Sequence, residues 1–132
     1  MEIRKQITEL LRTRDIDAIG ELPGIDVIRK RDEVPGDCSC YVFHTVFKLE
    51  IANMWEAYLH VVHSWKRVIA PQTGDLVVYY RRRKAMHFGI FREDGRIESK
   101  FGYAHVYAHN VFDVPDHYGN EISFYRPKGR KS

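Results

Sequence analysis

The sequence has no long apolar run and only two cysteines. No stretch approaches the ~20 apolar residues of a membrane-spanning helix, so we expect no membrane partner. Cys38 and Cys40 cannot form a disulfide scaffold, because a bridge across one residue would close a very tight loop. Both are therefore expected to be free thiols in a reducing compartment.

The N-terminus also lacks the apolar core of a signal peptide. Residues 1–5 lead directly into an amphipathic segment. We therefore expect a cytoplasmic protein by default, unless a dedicated export route carries it.

Neither a large charge excess nor a nucleotide-binding motif is present. Lysine and arginine number 21 and aspartate and glutamate 18, which leaves a net charge of +3. Such a mild excess does not require nucleic acid as a partner. The chain has no Gly-x-x-x-x-Gly-Lys phosphate loop and no dinucleotide-binding glycine pattern. We expect no cofactor.

The patterns that are present predict a single α+β domain over residues 1–132. Its composition, 44% hydrophobic and 30% charged, is typical of a folded globular chain. Residues 1–35 are predicted to be an N-terminal helical extension or cap, and residues 36–126 the core. Helices come first and a mostly antiparallel sheet follows, which is the α+β order.

Local signals place the elements. Apolar residues recur at helical spacing over 2–13, and Asn53 with Glu56 resembles a capping box that opens a helix reaching Trp65. Residues 104–116 are ambiguous. Short apolar runs predict strands at 76–80, 87–91, 96–101 and 121–125.

Cys38 and His87 are the residues most suited to carry chemistry. Asp37 is a good helix N-cap, so Cys38 should lie at a helix start, where the free N–H groups and the macrodipole favour a thiolate. His87 should open a strand, from which it can accept the thiol proton and later protonate a leaving group. The alternative is a buried structural cysteine.

Three short blocks resemble the NlpC-type cell-wall peptidases. Asp37-Cys38-Ser39 is similar to the Asp-Cys-Ser-Gly motif of that family, residues 74–79 to its Gly-Asp-Leu-Val strand, and residues 87–91 to its His-Val-Gly-Ile-Tyr strand. The blocks occur in the family's order and span roughly residues 36–101. The resemblance, shared with CHAP amidases, implies a papain-like fold and a thiol hydrolase that cleaves an amide or peptide bond. A peptide or a peptidoglycan peptide is the implied substrate.

Carried over by position, the resemblance makes Cys38 the nucleophile and His87 the base. A third, polar residue on the next strand orients the histidine, and Glu98 is our choice because a carboxylate supports the imidazolium. Ser99 is the alternative. The two point to opposite faces of a strand, so the register decides between them.

Cys40 departs from the pattern, because the family has glycine there. It raises the alternatives of a resolving thiol or of Cys40 as the reactive residue. Tyr41 is another open assignment, either a packing residue or an oxyanion donor beside the backbone N–H of Cys38.

Two other functions remain open. The pairs Cys38/Cys40 and His60/His63, with His44, supply zinc-type ligands, but their spacing is not that of a usual zinc site, so no metal is predicted. A catalytically inactive papain-like domain that binds a partner, of phage or immunity type, is the alternative function. The basic run Arg81–Lys84 is expected to flank the groove. The oligomeric state is not predicted.

Overall fold

The described residues contain seven antiparallel strands, which form one sheet. The computed structural model describes residues 2–129. Along the sheet the strands follow the order β1-β6-β5-β4-β3-β7-β2, and every neighbouring pair is antiparallel. The predicted α+β class is confirmed. The strands are Asp26–Arg29 (β1), Trp65–Val68 (β2), Leu76–Arg81 (β3), Lys84–Phe91 (β4), Ile97–Lys100 (β5), Val106–His109 (β6) and Glu121–Pro127 (β7).

Short helices cover both faces of this sheet. In the described part of the chain, no helix is long and apolar enough to cross a membrane. The α-helices are Ile3–Arg12 (α1), Ile16–Ile19 (α2) and Met54–Ser64 (α3); a π-helix spans Cys40–Val46, and two 3₁₀ helices span Arg31–Glu33 and Asp116–Tyr118.

The predicted N-cap of α3 is confirmed, but the predicted end of this helix is wrong. The Asn53 side chain accepts a hydrogen bond from the Glu56 backbone N–H at 2.9 Å. Trp65 leaves the helix and begins β2, where it pairs with Pro127. Its indole packs edge-on against Phe47, with ring centroids 4.8 Å apart. Aromatic packing and strand pairing thus outweigh the continuing helical pattern.

The two faces of the sheet carry separate apolar cores. Neighbouring residues of a strand point to opposite faces, and Val77 and Val78 fall in different clusters accordingly. Val78 packs under the π-helix and α3, on what we call the π-helix face. Val77 packs with Ile7 of α1 and Ile19 of α2, on what we call the N-terminal face.

The first 35 residues do more than cap the core. The strand β1 pairs with β6 and forms one edge of the sheet. The guanidinium of Arg4 on α1 donates hydrogen bonds to the carbonyls of Val114, Pro115 and Gly119, at 3.0, 3.1 and 2.6 Å. These contacts fix the segment that contains the second 3₁₀ helix against α1.

The Gly74-Asp75 block has a structural role. The Asp75 side chain is fully buried, and its two carboxylate oxygens accept hydrogen bonds from Nε and Nη2 of Arg126, at 2.8 and 2.7 Å. A bidentate arginine–carboxylate pair has a defined geometry as well as a favourable energy. It therefore ties the start of β3 to β7 and sets the position of the neighbouring β4.

Gly119 ends the second 3₁₀ helix where the chain passes β3 closely. Its φ is +87°, and a Cβ there would lie 2.0 Å from the Tyr80 carbonyl oxygen. Gly95 has a similar φ of +83° but open space around it. We expect Gly95→Ala to cost about 1 kcal/mol through backbone strain alone. Gly119→Ala should cost about 3 kcal/mol or more, because a steric clash adds to the strain.

Urea unfolding of both variants at one pH measures this difference. Equal losses of stability would mean that the chain near Gly119 can move away from β3.

Candidate active site

Asp37 begins the helix that carries Cys38, as predicted. Its Oδ1 accepts hydrogen bonds from the backbone N–H groups of Ser39 and Cys40, at 3.0 and 3.1 Å, and from the Ser39 hydroxyl at 2.7 Å. Two helical residues, Cys38 and Ser39, precede the π-helix. Cys38 therefore occupies the first turn, where backbone N–H groups have no helical partners.

The Cys38 thiol is buried and uncharged at neutral pH. Burial raises its pKa to about 12, and the charge of Asp37 also opposes the thiolate. Hydrogen bonds from backbone N–H groups favour the thiolate, above all that of Phe88 on β4. They do not offset the loss of water, because only 4% of the residue is exposed.

His87 is a buried imidazole that forms no hydrogen bond with the described residues. The residue is fully buried, and neither ring nitrogen has a partner among the described residues. Its ring stacks on Tyr118, with centroids 4.1 Å apart and planes 15° from parallel. Tyr79 and Phe101 complete the aromatic surroundings, with centroids at 5.4 and 6.0 Å. Burial lowers the pKa of His87 well below its usual value, and the charges of His109 and His117 add to this.

Both groups are linked to one peptide unit of β4. The Phe88 N–H, which lowers the pKa of the Cys38 thiol, belongs to the peptide that joins His87 to Phe88. The pairing between β4 and β5 ends at Ile90, which lies opposite Glu98. Phe88 lies outside the paired region of these two strands. Cys38 packs in the π-helix core, whereas His87 packs among rings of the N-terminal face.

Glu98 does not hydrogen-bond His87. One of its carboxylate oxygens accepts a hydrogen bond from the Tyr41 hydroxyl, and the other accepts one from Nη1 of Arg92 at 3.0 Å. The register explains this: Glu98 lies opposite Ile90, three residues after His87, so the two side chains leave opposite faces of the sheet. Tyr41 is a packing residue, 1% exposed, that anchors the π-helix to β5.

Ser99 shares the face of His87 but bonds another histidine. A Cβ on Gly89 would lie 3.1 Å from the Ser99 Cβ, which places Ser99 on the face of the odd-numbered residues of β4. Its Oγ lies 2.6 Å from Nε2 of His109. Nδ1 of His109 lies 2.8 Å from the Asn110 carbonyl oxygen, which can only accept. The proton therefore sits on Nδ1, and the Ser99 hydroxyl donates to Nε2.

The sequence did not predict the stacking of Tyr118 on His87 or the bond between Ser99 and His109; it indicated His109 only as part of a polar-aromatic stretch that could line the substrate site. Burial lowers the pKa of His109 to about 4. The available signal was the alternation of His105, Tyr107 and His109, which has the period of a strand. Tyr118 has no comparable signal, because its contact with His87 depends on how the loop after β6 folds back.

Cys40 has a packing role that accounts for Gly36. A Cβ on Gly36 would lie 2.7 Å from both the Cβ and the Sγ of Cys40. Gly36 also has a φ of +91°, which a side chain rarely adopts. Both thiols are free.

A groove of about 610 Å³ runs along the N-terminal face beside His87. Phe101 and Tyr118 line it, and both rings also contact His87. The basic run does not line this groove: Arg83 and Lys84 border a separate hollow of about 350 Å³ with Trp55.

The possible zinc ligands are not assembled. Over residues 2–129, no group of three or more histidine, cysteine, aspartate or glutamate side chains is placed to hold a metal ion. Nε2 of His44 lies 2.7 Å from the Ile51 carbonyl oxygen, and His60 and His63 lie beside a hollow on α3.

The unpaired nitrogens of His87 should lower stability. We expect His87→Leu to raise the free energy of unfolding by about 1–2 kcal/mol, because it removes a buried polar group that has no partner. The matched variant His109→Leu should lower it, because Ser99 would lose its acceptor. Urea unfolding at pH 7.5 measures both, and a loss of stability in His87→Leu would contradict the unpaired state of this ring.

Acid should destabilise the fold through His109. Because the pKa of His109 is lower in the folded state, the unfolded chain binds the proton more tightly. The contribution of neutral His109 to the free energy of unfolding is therefore complete above about pH 6.5 and is lost as the pH falls towards 4. The shift corresponds to about 3 kcal/mol. Unfolding free energies measured between pH 7 and pH 4 should fall less steeply in His109→Leu; parallel curves would contradict this assignment.

Comparison with known proteins assigns no family to the chain. The chain has no significant match among protein-family models, curated proteins or solved structures.

Proposed function

We propose that this chain is a papain-like thiol hydrolase that cleaves an amide or peptide bond, with a peptide or a peptidoglycan peptide as substrate. One observation carries the proposal: a fully buried imidazole, whose two nitrogens have no partner among the described residues, directly precedes Phe88, and the Phe88 N–H favours the thiolate of the buried Cys38 at a helix start. Unpaired buried polar groups destabilise a fold and are concentrated at functional sites.

The chemistry follows from the states of the two groups. The thiol pKa is raised and that of the imidazole is lowered, so the resting pair is uncharged. The two side chains lie in different cores at rest, so the proposal requires that displacement of Tyr118 lets the imidazole reach the thiol. The thiol proton then moves to His87 as Cys38 Sγ attacks the carbonyl carbon. As oxyanion donor we propose the backbone N–H of Cys38, because N–H groups in the first helical turn have no helical partners.

The remaining steps restore the enzyme. His87 returns its proton to the leaving nitrogen as the C–N bond breaks, which leaves a thioester on Cys38. A water molecule, deprotonated by His87, then attacks the thioester and releases the acid and the free thiol. For the residue that orients His87 we propose Ser99, because its Oγ keeps lone pairs to accept an imidazole N–H while its own proton goes to His109.

A second candidate is a papain-like domain that only binds a partner. The burial of both Cys38 and His87, and the stacking of Tyr118 over the imidazole, favour it. The two functions differ in whether His87 changes the reactivity of the thiol once Tyr118 no longer covers the ring.

Alkylation of Cys38 by iodoacetamide at pH 7 tests the proposal. The measurements use Cys40→Ser, which leaves one thiol, with and without Tyr118→Ala and His87→Ala. We expect Tyr118→Ala to raise the alkylation rate about tenfold or more, and His87→Ala to remove this gain, because base assistance is lost. Trp55→Ala, an exposed residue on α3, is the control and should change nothing.

A rate that does not depend on His87 in the Tyr118→Ala protein would contradict the hydrolase and leave the binding function. If the dependence is found, peptidoglycan peptides are the first substrates to assay, with Cys38→Ser as the inactive control.

A further inference from the structure

The groove beside His87 is lined by basic residues without any carboxylate. Three arginines, Arg12, Arg14 and Arg31, and one histidine, His117, contribute to its wall. Aromatic rings of Phe101 and Tyr103 supply the apolar part of the same surface. Charge of one sign along a concave surface concentrates ligands of the opposite sign.

Two of these guanidiniums are available to a ligand. Arg12 donates to Glu9 on the same helix, so its charge is partly balanced. Neither Arg14 nor Arg31 forms an ion pair with any described carboxylate.

The main chain at both arginines has distinctive features. Arg14 has a φ of +61°, a left-handed conformation that a residue with a side chain adopts at a cost of about 1–2 kcal/mol. The N–H of Arg31 donates to Nδ1 of His105 at 2.9 Å. Nε2 of His105, in turn, lies 2.6 Å from the Asp17 carboxylate. Arg31 is thereby tied to the residue that precedes β6 and, through it, to α2.

The charges of nearby arginines act on two titratable groups at or near the groove. The pKa of His117 is lowered by partial desolvation and then by the charge of Arg81, with Arg4 acting in the same direction and Asp116 against them. The pKa of Lys100 is lowered by burial and then by Arg31, while Asp37 and the two cysteines oppose this. Arg31 thus influences the groove and also a lysine that lies within electrostatic reach of Cys38.

We infer that this groove binds an anionic oxygen group, a carboxylate or a phosphate, and that it selects substrates that carry one. Planar guanidiniums match both groups through paired hydrogen bonds. The second half of this inference rests on the proposed function, because it needs Cys38 and His87 to act on the bound molecule. The binding itself does not depend on their reactivity.

NMR titration of the His117 imidazole tests the inference. The probes are inorganic phosphate and glutarate, added at constant ionic strength with chloride as the balancing anion. We expect at least one probe to raise the pKa of His117 saturably by about one unit, because a nearby negative charge favours the imidazolium. The His117→Gln variant assigns the resonance, and the preferred probe shows whether a carboxylate or a phosphate is the natural group.

Variants connect the effect to the groove. The double variant Arg14→Gln/Arg31→Gln should lose the saturable response, whereas Arg82→Gln, in the exposed turn between β3 and β4, should retain it. A response that never saturates with either probe, or one that persists in the double variant, would overturn the inference. The NMR titration does not involve the Cys38 thiol. Its outcome is therefore independent of whether the alkylation experiment supports or contradicts the hydrolase.

Discussion

The alternation of side chains along β4 is the constraint on which the candidate site depends. His87 and Phe88 are consecutive, so one ring enters the N-terminal face and the other enters the core under the π-helix. The peptide that joins them therefore lies in the sheet between the N-terminal face and the π-helix face. Asp37 starts the helix that carries Cys38, and the buried pair of Asp75 with Arg126 fixes the sheet to which β4 belongs.

Burial gives this site an uncharged resting state. Water is excluded from both the thiol and the imidazole. This burial raises the pKa of the thiol and lowers the pKa of the imidazole. The thiol therefore keeps its proton and the imidazole stays without one. A buried thiol that keeps its proton reacts slowly with oxidants and alkylating agents.

The sequence was informative where the signal is local. The Asp37 cap, the helix over residues 2–13 and the central strands follow from spacing and capping chemistry, and the structure contains them. The choice between Glu98 and Ser99 depends on strand register, which a single sequence does not encode in any short pattern. Tyr118 depends on long-range packing. Strand β2 was missed because Trp65 continues a helical pattern and is diverted only by its partners on β7 and the π-helix.

The clamp formed by Arg4 also sets the order in which the molecule assembles. Its guanidinium meets the Gly119 carbonyl 115 residues further along the chain. Contacts of such separation carry a large loop-closure entropy and form late in folding. During synthesis, α1 must therefore wait without its final partner until the segment of Tyr118 has left the ribosome. The aromatic cover of His87 is completed only then, so the growing chain passes through states in which the imidazole is open to solvent.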